Sequence, residues 1–302
     1  MKPVFKDDAA KQKMLEWYER FHARLPVPTV RRMVPTRFGD THVLVGGPSA
    51  APPLVVVHGA MASSAHLLVE LAPLLSRYRI YAIDVIGQSI KTPHPRPSVA
   101  NNDYGVWLAE VLDGLALPQV ALVAVSWGGF AAVRLAVHAP ERITRLALLV
   151  PAGIVNGHAW QGMKKMMVPL LLWRMFPSPA RFEKLARNLL STHDDDWLPY
   201  LHDAFSSFNM DTRIPKRATA AELVSFKAPT LVIGGDEDIS FPGAKLAARA
   251  AALLPNLVAT EIIPSCKHCP PTTDDFRSWL GNKLVAFLGE SREGASASRL
   301  PA

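Results

Sequence analysis

Three residues far apart in the chain, Ser126, Asp238 and His268, are of the types that together turn a hydroxyl into a nucleophile. A serine hydroxyl attacks poorly until a base takes its proton, and that base needs a carboxylate to fix its tautomer. Ser126 stands between the apolar run Val120–Val125 and a helical stretch beginning near Trp127, with Ala124 two residues before it and Gly128 two after. Small residues at those offsets are what a sharp strand-to-helix turn requires, because larger side chains would collide. The strict pattern G-x-S-x-G has glycine where this chain has Ala124, a minor departure. Such a turn holds the serine in a strained conformation, with its hydroxyl above the sheet edge and at a helix N-terminus that favours developing negative charge. The competing reading is an ordinary serine N-cap.

A second loop supports the chemical reading. The run Leu54–Val57 ends in His58-Gly59-Ala60-Met61, again before a helical stretch. Acyl transfer needs two backbone N–H donors on the carbonyl oxygen. One is expected from Trp127, the residue after the nucleophile, and the other from Ala60, with Met61 the next choice. His58 reads as a hydrogen-bonded scaffold residue at a strand end and not as the base. Two later runs end in Gly234-Gly235-Asp236-Glu237-Asp238 and in Pro264-Ser265-Cys266-Lys267-His268-Cys269-Pro270. His268 is the expected base and Asp238 its orienting carboxylate, with Asp236 kept as an alternative. The order Ser, Asp, His is the one a strand–turn–helix nucleophile leads us to expect.

The elements that must position these loops form a repeating pattern. Residues 7–24 have helical periodicity, and Val30–Phe38 with Thr41–Val45 flank Gly39–Asp40 as a hairpin. Apolar runs at 54–57, 80–83, 120–125, 146–150, 230–233 and 258–263 then alternate with helical stretches at 64–76, 103–116, 127–138 and 243–253. Continuous Val/Ile/Leu runs belong to strands covered on both faces, so the order implies an α/β fold with a mostly parallel, doubly wound sheet. The interval of about eighty residues between Val150 and Thr230 is too long for a plain connection. Residues 154–226 therefore read as an inserted helical cap, splitting a core of 1–153 and 227–288. Residues 289–302, rich in Ser, Ala, Gly and Arg, read as a disordered tail. In the cap, 163–176 is rich in Met, Leu, Trp and Phe. Either this face packs on the core, or Met163, Met167, Leu171 and Trp173, with Met61, line a hydrophobic substrate pocket.

Composition narrows the partners. The chain has 302 residues, 49% of them hydrophobic, two cysteines, and 33 Lys+Arg against 26 Asp+Glu for a net charge of +7. The basic residues are dispersed and carry no interleaved stacking aromatics, so nucleic acid is not expected. No uninterrupted apolar run of about eighteen residues appears, so stable membrane insertion is not expected, and the short apolar stretch and modest charge of 163–176 make a membrane-surface role an alternative ranked below a packed or pocket-lining face. The N-terminus lacks the apolar core of a secretory signal, which points to the cytoplasm. A homodimer is compatible with the sequence. Cys266-x-x-Cys269 around His268 has no partner motif for zinc, so no metal is expected and the cysteines read as part of the loop that holds the histidine.

Taken together, HGAM, VSWGG, GGDED and CKHCPP, in that order, resemble the α/β-hydrolase fold family over residues 30–288, with the insertion in the place of that family's variable cap. Tyr81–Ser89 is similar to the family's D-x-x-G-x-G-x-S segment but lacks its second glycine. The HGA and IDxIG segments look most like those of bacterial carboxylesterases acting on aryl-propionate esters. The resemblance implies Ser126 as nucleophile, Asp238 as acid, His268 as base, Ala60 and Trp127 as oxyanion donors, a small-molecule ester as substrate, and no cofactor. Ser126 in the nucleophile position separates the chain from the dehalogenase and epoxide-hydrolase branches, which use aspartate. C–C bond hydrolases, proline iminopeptidase-like enzymes and a non-catalytic binding protein of the same fold are the alternatives.

Overall fold

The computed structural model describes residues 3–194 and 196–289. The tail expectation for 289–302 falls, beyond Gly289, outside the described residues. Helix α1 (Asp8–His22) is capped by the Asp7 carboxylate, which accepts from the Ala10 N–H, and it buries Met14, Trp17, Tyr18 and Phe21 at helical spacing. Strands β1 (Thr29–Val34) and β2 (Thr41–Gly46) pair antiparallel, with Val34 opposite Thr41. The first strand of the hairpin thus stops at Val34 and not at Phe38. Pro35 follows at once and has no N–H for the ladder.

From there strands and helices alternate. Strand β3 (Pro53–Val57) leads to α2 (Ser64–Glu70), β4 (Arg79–Ile83) to α3 (Asp103–Gly114), and β5 (Val120–Val125) to α4 (Trp127–His138) and then β6 (Ile143–Leu149). Helix α2 is shorter than the expected 64–76 because Pro73, which cannot continue an α-helix, sits in a separate 3-10 turn. The cap interval holds α5 (Ala159–Gly162), a π-helical turn (Met163–Met167), α6 (Val168–Met175), α7 (Pro179–Ala186) and α8 (Trp197–Ser207). The fold closes with β7 (Thr230–Gly235), α9 (Gly243–Leu253), β8 (Leu257–Ile263) and α10 (Asp274–Gly289).

The eight strands form one sheet in the order β1-β2-β4-β3-β5-β6-β7-β8, parallel from β4 to β8. Helices α3, α4 and α9 cover one face through Trp107, Phe130 and Leu246, while α1, α2 and α10 cover the other through Phe21, Leu68 and Leu284. Leu54–Val57 are fully buried, as strands between two helix layers must be. The chain steps from β3 to β4 on one side and returns to β5 on the other, and an open α/β sheet parts its loops and binds ligands at such a point. A separate small core, including Leu170, Trp173, Phe182, Leu185 and Phe205, holds the cap helices together.

Below this switch point lies a buried carboxylate. Asp84, just after β4, accepts from the Ser64 N–H at 3.0 Å, from the Ser64 and Ser89 hydroxyls, and from His42 Nδ1–H at 2.7 Å. Burial alone would push its pKa up, but its histidine neighbours, His42 with its hydrogen bond first, outweigh burial and hold it well below the usual carboxylate range. A group depressed in this way contributes stability in full above about pH 4 and loses it as pH falls toward the folded-state value. Replacing Asp84 by alanine leaves those donors unpaired and should lower unfolding free energy by about 3–5 kcal/mol at neutral pH, a loss that shrinks in acid; urea titrations at both pH values check this.

Candidate active site

The serine sits where β5 becomes α4. Ser126 has φ 50° and ψ −112°, a left-handed conformation that an L-residue adopts at a cost of about 1–3 kcal/mol and only where its surroundings enforce it. The surroundings are visible. A Cβ added to Gly128 would lie 2.4 Å from the Val57 carbonyl oxygen and 2.7 Å from that of His58, so only glycine lets α4 approach the end of β3. A Cβ on Gly59 would lie 3.1 Å from the Ser126 Cβ, which brings the His58–Met61 loop directly against the serine. Ala124, in place of the first motif glycine, is fully buried in β5 without distorting its pairing to Val57 and Leu148.

The carboxyl ends of β7 and β8 bring the other two residues to the same rim. Ser126 Oγ lies 3.0 Å from His268 Nε2, and His268 Nδ1–H donates to Asp238 Oδ2 at 3.0 Å. The second oxygen of Asp238 accepts from the N–H groups of Ser240 at 2.7 Å and Phe241 at 3.1 Å. That carboxylate is fully buried, while the imidazole keeps 18% of its side-chain exposure. Burial alone would lower the His268 pKa, but the charge and hydrogen bond of Asp238 outweigh it and set it above the ordinary histidine value. Burial likewise works against the Asp238 charge, and the charge of His268 with the hydrogen bonds it receives brings its pKa below the usual range. Asp236, the alternative carboxylate, turns away and accepts from the Cys266 N–H.

His58 has both ring nitrogens engaged in holding the loop. Its Nε2 accepts from the Val85 N–H at 2.9 Å, which leaves the proton on Nδ1 to donate to the Gly59 carbonyl. The ring has no lone pair left for a base. Met61 has φ 54°, and its carbonyl accepts from the Tyr200 hydroxyl of α8. Among the described residues no backbone or side-chain acceptor takes the N–H of Ala60, Met61 or Trp127. The two expected donors thus sit, unpaired, in the two segments that meet at Ser126.

One residue that sequence reasoning missed braces the histidine. Ser191, at the end of the cap segment 187–191, accepts from the Lys267 N–H at 2.8 Å and donates to the Cys269 carbonyl at 2.7 Å, so its hydroxyl straddles His268. The Cys269 N–H donates to Leu189 and the Ser191 N–H to Cys269, which makes a short parallel bridge between cap and loop. A serine in a polar loop carries no sequence signal for such a contact. The flanking cysteines are both free thiols. Cys266 packs in a core under the sheet and Cys269 against the cap core, and burial above all pushes their pKa values up to about 11 and about 12. They therefore remain protonated at neutral pH, which disfavours metal ligation and oxidation.

The expected pocket lining does not assemble. Met163, Met167 and Leu171 are exposed, because the side of the cap helix that packs inward carries Leu170 and Trp173 instead. Trp173 is a core residue of the cap, 5.1 Å from the Phe182 ring. Met61 alone borders the site, packing against both the cap core and the core beneath the sheet. A cleft of about 470 Å³ does open behind Asp238, but its walls mix Lys165, Asn188, Glu237 and Lys245 with Ile239 and Pro242, and none of the five expected residues lines it.

Fold and rim geometry define an α/β hydrolase: the chain belongs to the alpha/beta hydrolase fold family, whose sequence model matches residues 52–275. Within that family it is 26% identical to the uncharacterized carboxylesterase nap of Bacillus subtilis, over 84% of this chain and 86% of the relative. It is also 26% identical to carboxylesterase YbfK of the same species, over 93% and 96%. The crystal structure of the B. subtilis naproxen esterase superposes with a TM-score of 0.77 at 24% identity, covering 91% of this chain and 96% of that one, which shows the shared fold.

The contact at Gly128 makes a direct prediction. Gly128→Ala drives a methyl into two backbone carbonyls and should cost at least about 1–3 kcal/mol, whereas Ala124→Gly should cost about 1 kcal/mol or less; thermal unfolding of the two variants, side by side, measures the difference.

Proposed function

We propose that this chain is a serine hydrolase that cleaves a hydrophobic small-molecule carboxylic ester through an acyl-enzyme on Ser126. The observation that carries the reading is the unbroken hydrogen-bonded line from Ser126 Oγ through the His268 ring to the buried Asp238 carboxylate. The two carboxylesterase relatives support the choice of an ester over other acyl compounds.

In this mechanism Ser126 attacks the ester carbonyl as His268 Nε2 takes its proton. The strained backbone keeps the hydroxyl raised above the sheet rim, so the reacting atoms need little rearrangement. Negative charge developing on the carbonyl oxygen is met by the Trp127 N–H, aided by the α4 dipole, and by the Ala60 N–H. Each such donor is worth about 3 kcal/mol of barrier. The imidazolium formed is stabilised by Asp238, which stays ionised. His268 then returns the proton to the leaving alcohol, and water repeats the attack on the acyl-enzyme. Met61 and the neighbouring cap core give the site an apolar flank suited to a hydrophobic acyl or alcohol group.

Ser126→Ala should abolish ester turnover without unfolding the protein, and a fluorophosphonate probe should label Ser126 alone, read by mass spectrometry of the adduct; undiminished hydrolysis by the variant overturns the assignment. Because His268 must be neutral to act, and its pKa lies above the ordinary value, kcat/KM should fall on the acid side with a midpoint above about pH 6.5. Asp238→Asn removes the raising charge, so the midpoint should move to lower pH while kcat drops by about 10⁴-fold; a pH–rate profile of both proteins checks the sign.

A further inference from the structure

The cap helical segment 159–176 is apolar nearly all round, and a helix of that kind is normally buried on every side. Here protein covers one side only, where Leu170 and Trp173 enter the cap core. The rest is open: Trp160 keeps 77% of its surface and Met175 67%, with Met167, Val168, Leu171 and Leu172 also exposed between them. All six lie along one run of consecutive helical turns, α5, the π-helical turn and α6. Apolar exposure on this scale marks an interaction site.

The charge around it is one-sided. Residues 158–188 contain six Lys and Arg against Glu183 as their one acid. Lys164, Arg174 and Lys184 are exposed and, among the described residues, enter no ion pair. Lys6, from the N-terminal segment, lies near enough to Arg174 that, after partial burial, the Arg174 charge is the next influence lowering its pKa. Asp7 offsets Lys6 in part, and the remaining excess of cations along 158–188 favours an anionic partner. It also disfavours a second copy of this chain, whose same face would carry the same sign.

We propose that the outer face of the 159–176 segment docks on an anionic lipid surface, with the apolar side chains in the headgroup–acyl boundary and the flanking cations on the phosphates. This is surface binding and not insertion, since among the described residues no helix is long and apolar enough to cross a membrane. The cap faces the same end of the fold as the proposed active site, tied to it through Ser191, so docking would set that rim toward the lipid. The proposal does not depend on the ester-hydrolase reading, because binding is measured without turnover.

The experiment is co-sedimentation of the full chain with vesicles of mixed phosphatidylglycerol and phosphatidylcholine, against phosphatidylcholine alone, at low and high salt. Binding to the anionic vesicles only, weakened by salt, is expected. The pair Leu172→Glu with Met175→Glu and the pair Lys164→Gln with Arg174→Gln should each reduce partitioning by about tenfold or more, while turnover of a short soluble ester stays unchanged. In the otherwise native protein, vesicles should shift tryptophan emission to the blue, and Trp160→Phe should remove most of that shift. Failure of the native chain to bind at low salt overturns the proposal, as does equal binding to both vesicle types. Concentration-dependent dimerisation abolished by Leu172→Glu with Met175→Glu, in a protein that ignores vesicles, overturns it in favour of a second copy.

Discussion

The site depends on one tight approach: the turn at Ser126 against the loop that follows β3. Two strands that are neighbours in the sheet but separated in the chain release their loops at the same rim, and those loops touch because Gly59 and Gly128 carry no side chains. That contact forces Ser126 into its positive φ, and the same contact brings two segments with unpaired N–H groups to the serine. Strain, exposure of the hydroxyl and placement of the donors are thus consequences of a single packing constraint.

The electrostatics around this contact are layered by depth. Deepest is Asp84, which gathers the hydroxyls of Ser64 and Ser89 and the ring of His42, anchoring the start of α2 and the segment after β4. Above it His58, locked between Val85 and Gly59, holds the turn out of β3. At the rim the buried Asp238 holds His268 by a hydrogen bond, and the imidazole remains partly accessible. Two carboxylate–histidine pairs therefore serve different ends, because one is sealed from solvent while the other presents a free nitrogen to a hydroxyl.

Much of this was legible in the sequence for physical reasons. Strands buried on both faces must be continuously apolar, so the runs at 54–57, 120–125 and 230–233 could be read directly, and motif residues followed each of them. The helical interval between β6 and β7 was marked by its length. The choice of Asp238 over Asp236 was legible through chain order, but the reason lies in tertiary geometry, where Asp236 is spent on a backbone N–H. The pocket lining was not legible. A segment this rich in Met, Leu, Trp and Phe offers more apolar positions than one face can bury, so Met163, Met167 and Leu171 were indistinguishable from Leu170 until the cap core chose among them. Ser191 was invisible because its role comes from partners some eighty positions away.

The strap formed by Leu189–Ser191 and Cys269 also limits how this protein can diversify. Caps in such a fold are free to vary only if they leave the core's chemistry alone, yet here two backbone hydrogen bonds and one hydroxyl stitch the insertion to the loop bearing the imidazole. Replacing the helical interval between β6 and β7 with a foreign one would remove the brace. New substrate range in this lineage is therefore more accessible through changes at the outer end of the insertion than through its wholesale exchange.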